Sequence, residues 1–438
     1  MQVILPSCPS TMAKTSPDST FLLENYARFD VAIVRGRGSR AWDDTGKEYL
    51  DFGAGIAVCS LGHVHPAITE ALVHQAGELL HCSNLYRSPG QETYARALSD
   101  KVVGHPGKSV FVNSGAEANE TLIKLARRFG NLAPAGDGSP RFGILSFQRS
   151  FHGRTFAGIS ATGQAKIHSG FGPLLPGFTH LPYNDIDALE AGVDANTVAI
   201  LLEPVQGEGG IHVATPEFLL KAAHLAREHN LLLLIDEVQC GFGRLGHLAG
   251  WRAILDQEHD ADFLPHGVSW AKGMGGGYPV GAAWIGNQAV MTDNGPLPAS
   301  SILGPGSHGT TYGGGPVACA VAQAVLDTII EQQLDEHSTA MGAHTLQQLS
   351  SLDSPVVREV RGMGLMLGIV LDETAFAPLC GAGETPSLFL VKALMQQGLL
   401  SVPAGADVVR WLPPLNVTKA EIDEAVTILG STLNQIFA

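Results

Sequence analysis

With 438 residues, 45% of them hydrophobic and 16% charged, the chain can bury a large interior, which excludes a disordered or fibrous polypeptide and fits a globular enzyme of two or three domains. A formal net charge of -15 excludes nucleic acid and anionic membrane as main partners, because both require clustered Lys and Arg. Cys8, Cys59, Cys82, Cys240, Cys319 and Cys380 form no CxxC pair, so a zinc or redox motif is not expected and a reduced, cytoplasmic compartment is.

Residues 1–20, rich in Ser, Thr and Pro, read as a flexible tail without a secretory or transit pattern. GSRAWDDTGKEYLDFGAGIAV then predicts short strands around a turn at Asp44 and Gly46. Residues 66–98 carry helical apolar spacing. From Val110 short apolar runs alternate with helical patterns, which predicts an α/β fold on a mostly parallel sheet, with buried strands in SVFVN, FGILSF, AILLEP, LLLLIDE and AAWIG. The longest apolar runs, such as residues 231–235, fall short of the roughly 20 residues that a membrane helix needs, so no span is expected.

Residues 294–316, dense in Gly, Pro and Ser, predict a long irregular functional loop before a helix at Val317. The last third places strands at GLMLGIVL and VVRWLPPL. Its helices open at Thr385 with Pro386 and at a Thr418/Glu421 capping box. The division is a tail (1–20), an N-terminal segment of a small domain (21–65), a large domain (66–316) and a C-terminal part of the small domain (317–438).

Ligands of open α/β sheets gather at the carboxyl ends of the strands. There LLLLIDEVQCGFGR delivers Asp236, and SWAKGMGGGYP sets Lys272 among small residues. An amine nucleophile and a buried carboxylate are the two protein groups that pyridoxal 5'-phosphate (PLP) chemistry requires, one to bind the cofactor and one to keep its ring nitrogen protonated. Each has a plain alternative, a turn-capping Asp and a surface Lys; their pairing favours the cofactor. FVNSGAEANE offers a strand, a turn at Ser114 and Gly115 and a helix start that can hold a phosphate, or simple capping. Phe151 and Arg154 in SFHGRT offer a stacking ring and a cation for a carboxylate, or an ordinary turn. Glu203 and Arg410, at two strand ends, read alone as surface charges. His63 and His65 lack a third partner at metal-ligand spacing, and no metal is expected.

In their order, DFGAGIAVCSLGHVHP, NSGAEANE, SFHGRT, SATGQ, LLEPVQGEGG, LLIDEVQCGFGR, AKGMGGGYPVGA, HGTTYGG, RGMGLMLG and RWLPPLNV resemble the class III (ornithine-type) aminotransferases over residues 43–425. The resemblance implies PLP-dependent transferase fold type I, with Lys272 bound covalently to PLP, Asp236 at its ring nitrogen, and Val238 and Gln239 beside the ring. It also implies Ser114, Gly115 and Ala116 at the phosphate and Phe151 stacked on the ring. A homodimer is implied in which the neighbouring subunit supplies Thr311 to the phosphate, with Thr310 beside the substrate. Arg154 is implied to bind a substrate carboxylate, and Glu203 to mask Arg410 until 2-oxoglutarate arrives. The implied reaction carries the δ-amino group of N2-acetyl-L-ornithine to 2-oxoglutarate, giving the semialdehyde and glutamate, a step of arginine biosynthesis. Ile56, where an enzyme acting on free ornithine would carry Tyr, favours an acylated donor. Alternatives are other ω-amino donors (succinyl-diaminopimelate, ornithine, 4-aminobutyrate), a PLP aminomutase and a binding-only relative. Gly315, in place of an expected Asn, and Trp270, before AlaLysGly, depart from the family pattern.

Overall fold

The computed structural model describes residues 21–255 and 263–437, so the expected tail lies outside the described residues. Residues 21–32 cluster as a unit of their own without helix or strand; a backbone bond runs from the Arg28 N–H to the Tyr26 carbonyl (3.0 Å).

From Ile33 onward the chain is built on a seven-stranded sheet. Its order is Gly107–Val112, Gly281–Gly286, Gly267–Trp270, Leu232–Asp236, Thr197–Leu202, Gly143–Phe147 and Phe178–Leu181. Gly281–Gly286 runs antiparallel to both its neighbours, while the pairings from Gly267–Trp270 across to Phe178–Leu181 are parallel. Thr197–Leu202 and Leu232–Asp236 are buried at every position, as a sheet covered on both faces demands. The helix Gly115–Leu132 presses Leu122, Leu125, Ala126 and Phe129, spaced at helical intervals, into a core shared with Leu201, Leu234 and Ala283. In register, Asp236 lies opposite Ser269, which places it three residues from Lys272 on the adjacent strand's exit.

The C-terminal part forms a second, antiparallel sheet of Val357–Met363, Met366–Leu371, Val408–Trp411 and Val402–Ala404. Thr385 caps Pro386–Gln396 by accepting the Leu388 N–H at 3.3 Å. The Thr418/Glu421 box closes in both directions, at 2.8 and 3.3 Å. Leu399–Leu400 pairs in parallel with Glu48–Asp51 and so joins the two ends of this unit. Among the described residues no helix is long and apolar enough to cross a membrane.

Two expectations are corrected, and one strand is added. The single helical stretch over 66–98 is two helices, Pro66–Glu78 and Pro89–Ala97, because Leu79 turns extended and Pro89 starts the second at its first turn. The loop over 294–316 opens with a hairpin strand, Gly295–Pro298, paired with Ala289–Thr292, where its prolines lack no needed ladder bond. Phe178–Leu181, only four residues and half exposed, forms an unanticipated edge strand.

One polar knot fixes the approach to the site. Asp51 Oδ1 accepts the N–H groups of Gly53 (3.0 Å) and Ala54 (2.8 Å), and its Oδ2 lies 2.8 Å from His63 Nε2. The segment between holds Ala54, Ile56 and Ala57 at φ 44, 64 and 60°, a left-handed run that side chains disfavour. Ser60 Oγ then donates to the Gly273 carbonyl at 2.7 Å, next to Lys272. The Asp51 hydrogen bond, helped by Cys59, pushes the His63 imidazole up from 6.5 to about 10. A raised value favours the protonated ring in the folded state, so its stabilisation is full below pH 6.5 and fades as pH rises through about 10. The melting-temperature gap between wild type and His63→Gln is therefore expected to shrink over that window; a gap that holds constant or widens refutes the assignment.

Candidate active site

The strand Leu232–Asp236 ends in a cavity of about 430 Å³ whose walls include Asp236, Lys272, Phe151, Arg154, Glu203 and Gln239. A carboxylate buried at a strand end must collect donors. Asp236 does so from three directions: Asn119 Nδ2 at 2.6 Å and His152 Nδ1 at 2.8 Å meet Oδ2, and the Val238 N–H meets Oδ1 at 3.0 Å. Ser269 Oγ donates to Asn119 Oδ1 at 2.6 Å and so fixes the amide's orientation. His152 and Asn119 are site residues that sequence reasoning passed over. Both lie inside the quoted motifs SFHGRT and NSGAEANE, and Asn119 sits one helical turn beyond Gly115, on the face that meets the cavity.

Lys272 stands at φ 47° in a short turn, closed by bonds from the Met274 N–H to the Ala271 carbonyl (3.0 Å) and from the Gly275 N–H to the Lys272 carbonyl (2.9 Å). A non-glycine residue in this region is strained, and such strain concentrates at functional sites. Burial pulls the Lys272 amine below the ordinary lysine range, with the Glu208 carboxylate opposing and the Arg410 charge reinforcing. Trp270, the departure before AlaLysGly, is fully buried and donates from Nε1 to Glu237 Oε2 at 3.0 Å, so it braces the strand outside the cavity wall.

Ser114 caps the helix Gly115–Leu132 by accepting the Glu117 N–H at 3.3 Å, while Glu117 accepts the Asn113 N–H at 2.5 Å. The N–H groups of Gly115 and Ala116, in the first turn, have no partner within a helix and lie on the cavity wall, a ready anion site. A Cβ on Gly115 would stand 2.5 Å from Val238, so only glycine lets this helix end close against the Asp236 strand. These features fit PLP: a helix start for the phosphate, Phe151 and Val238 for the ring, and a donor-saturated carboxylate beside a low-lying amine. Arg154 is exposed at the cavity mouth, its guanidinium 5.7 Å from the Phe151 ring centre. Thr310 and Thr311 are not brought to this cavity. Thr310 Oγ1 takes a bond from Asn113 Nδ2 (3.1 Å), and Thr311 is exposed.

Glu203 and Arg410 do not meet as a pair. Glu203 is buried and accepts the Phe151 N–H at 3.1 Å; burial and the nearby Asp236 charge raise its carboxyl well above the usual range. Arg410, 1% exposed, instead binds Glu208 Oε1 at 2.8 Å and Gln239 Oε1 at 2.6 Å. The reason is local. A Cβ on Gly207 would stand 2.3 Å from Gln239, so glycine there lets the 206–210 turn fold onto Gln239 and carries Glu208, not Glu203, to the arginine. Burial would raise the Glu208 carboxyl, yet the Arg410 and Lys272 charges bring it below its ordinary value. An acidic residue inside a glycine-flanked turn, GlnGlyGluGlyGly, was the available signal.

Comparison with known proteins agrees with this geometry. The family described as Aminotransferase class-III matches residues 22–433. Acetylornithine aminotransferase of Caldanaerobacter subterraneus is 44% identical over 421 residues, covering 96% of this chain and 98% of the relative. Among solved structures, ornithine aminotransferase from Toxoplasma gondii superposes with TM-score 0.83 at 32% identity, over 95% of this chain and 93% of that one. N-acetylornithine aminotransferase from Stenotrophomonas maltophilia gives TM-score 0.75 at 33% identity, over 94% and 98%. The chain belongs to the class-III aminotransferases, PLP-dependent enzymes of fold type I.

Proposed function

We infer that this aminotransferase moves the δ-amino group of N2-acetyl-L-ornithine to 2-oxoglutarate, forming N-acetyl-L-glutamate 5-semialdehyde and L-glutamate, a step of arginine biosynthesis carried out in the cytoplasm. The observation that carries the reading is one cavity lined by Lys272, Asp236 and the open Arg154, with a second arginine, Arg410, bonded to Gln239 of the cavity wall and covered by the Glu208 carboxylate. The named relatives act in their titles on acetylornithine or ornithine, and Ile56 in place of a hydroxylated aromatic favours the acylated donor.

Bound in this cavity, PLP supplies the electrophilic carbon and the electron sink that amino transfer needs. Asp236, oriented by Asn119 and His152, holds a proton at the ring nitrogen. Lys272 Nζ, with its basicity lowered by burial, would take the proton from the amine-bearing carbon of the donor and hand it to C4' of the cofactor. Phe151 packs the ring, and the Ser114, Gly115 and Ala116 corner receives the phosphate. Arg154 receives the carboxylate common to donor and acceptor. Arg410 is kept covered while a donor with one carboxylate is bound, and is released for the second carboxylate of 2-oxoglutarate; a permanently bare arginine would favour the dicarboxylate alone. With Thr311 exposed and outside its own cavity, a homodimer in which each subunit lends this hydroxyl to its partner's phosphate site is the matching assembly.

The half-reaction tests the substrate: N-acetylornithine is expected to bleach the visible band of PLP-loaded enzyme, and 2-oxoglutarate to restore it. Bleaching by 4-aminobutyrate or ornithine alone would replace the donor. Lys272→Ala is expected to lose turnover by at least about a thousandfold while the protein stays folded; near-normal turnover overturns its role. Glu208→Ala is expected to raise the donor KM roughly tenfold relative to that of 2-oxoglutarate, the scale of one lost charged contact. Glu203→Gln should leave that ratio unchanged, and a reversed pattern would return the switch to Glu203. For the assembly, sedimentation should give a dimer, and Thr311→Ala should retain PLP about tenfold less tightly; a fully active monomer rejects the shared site.

A further inference from the structure

On the far side of Glu208 lies a second cavity, of about 610 Å³, that the amino-transfer reading does not use. One wall is cationic. Arg149 Nη1 lies 3.1 Å from His212 Nε2, and Arg361 Nη2 lies 3.5 Å from the same nitrogen. Lys166 completes the rim. Arg361 has Glu359 at 2.9 Å, but among the described residues no carboxylate pairs with Arg149 or His212. The other carboxylates on the lining, Glu373 and Asp407, make no ion pair with these cations, and Glu208 is taken by Arg410.

Two guanidinium groups converging on one imidazole is an unfavourable arrangement left alone. Burial and the charges of Arg361 and Arg149 push the His212 imidazole down to about 4, so the ring stays neutral and accepts from the guanidinium. The backbone is costly as well: Arg149 sits at φ 66°, a left-handed conformation in which Asn or Gly would be less strained. The position is held by packing, since a Cβ on Gly209 would stand 2.4 Å from the Arg149 carbonyl. Strain of this kind concentrates at functional sites, and here it sets an exposed arginine, without a carboxylate partner among the described residues, on a cavity wall.

We propose that Arg149 and Arg361, bridged by the neutral His212 ring, form an anion site for a small oxyanion, a phosphate or a carboxylate, distinct from the catalytic cavity. Its planar guanidinium donors suit two-oxygen acceptors of either kind. The site grips the turn that carries Glu208: Gly209 packs on Arg149, and the Gly210 carbonyl accepts from Arg361 Nε and Nη2 at 3.0 and 2.7 Å. An occupant that draws the two guanidinium groups together therefore bears on the turn holding the Arg410 cover, a coupling that rests on the gating role proposed for Glu208.

Calorimetric titration of PLP-loaded enzyme with inorganic phosphate, and separately with malonate, tests the site. Wild type and Arg154→Gln should bind phosphate alike, which separates this cavity from the catalytic one, and malonate is titrated in Arg154→Gln, whose catalytic cavity has lost its carboxylate arginine. Arg149→Asn, chosen because Asn accepts the left-handed backbone, should bind at least about tenfold more weakly. Should Arg149→Asn melt well below wild type, Arg149→Lys supplies the comparison, with retained charge but lost two-pronged geometry and intermediate affinity expected. The tighter of the two ions identifies the head group. Unchanged binding in both Arg149 variants, or loss in Arg154→Gln instead, overturns the proposal, as does wild type that binds neither ion. The coupling is read separately: the bound ion should shift the 2-oxoglutarate KM in wild type and not in Arg149→Asn. Binding without that shift removes the coupling and keeps the site.

Discussion

The active site is organised by the need to keep one carboxylate at the end of a dry strand. Asp236 is 3% exposed, and burial of an unpaired charge is among the most expensive acts a fold can perform. Its donors come from separate stretches of chain: Asn119 from the helix Gly115–Leu132, His152 from the turn after Gly143–Phe147, and Val238 from its own exit turn. Satisfying Asp236 thus fixes the helix start, the ring-stacking turn and the strand exit relative to one another. These are also the elements that line the cavity.

The same requirement decides the state of its neighbours. Glu203 and Glu237 flank Asp236 and are equally dry, so burial raises both carboxyls, Glu237 to about 7. Glu237 is stabilised outside the cavity by Trp270 Nε1 and by the Trp251 N–H at 2.9 Å. Glu203 accepts from the Phe151 backbone. Three carboxyl groups lie at one end of the sheet; the donors of Glu237 hold it outside the cavity wall, while Asp236 takes three donors at the wall itself. In the proposed function, this leaves Asp236 as the acceptor for a protonated ring nitrogen rather than a diffuse acidic patch.

Much of this was legible in the sequence because apolar runs with abrupt polar ends declare buried strands: SVFVN, FGILSF, AILLEP, LLLLIDE and AAWIG all form strands of the central sheet. Lys272 and Asp236 were legible because each terminates such a run. Less was written in short or long-range features. Phe178–Leu181 is too short to carry a period, and the break at Leu79 depends on where Pro89 can begin a new helix. The partner of Arg410 was misread for a similar reason. Glu203 ends its strand, as ligand-bearing residues do, but which acid reaches the arginine depends on how the 206–210 turn folds onto Gln239. His152 and Asn119 were overlooked because their role exists only once Asp236 lies between them.

The Glu208–Arg410 pair is asymmetric in a way that sets which member moves. Arg410 is 1% exposed and its Nε has no partner among the described residues, whereas the Glu208 side chain is 28% exposed. Breaking a buried pair strands whichever charge stays in the dry interior, and the cost falls on that member. If the arginine moved, a guanidinium would leave Gln239 and a strand whose residues are all buried. If the carboxylate moves, it swings from a position already touched by water, on a turn of glycines, and leaves behind an arginine that only a second carboxylate can satisfy. A 2-oxo dicarboxylate brings that group and a monocarboxylate donor does not. Under the proposed gating, the free energy that discriminates between the two substrates is stored in the arginine, and the glutamate is the movable cover.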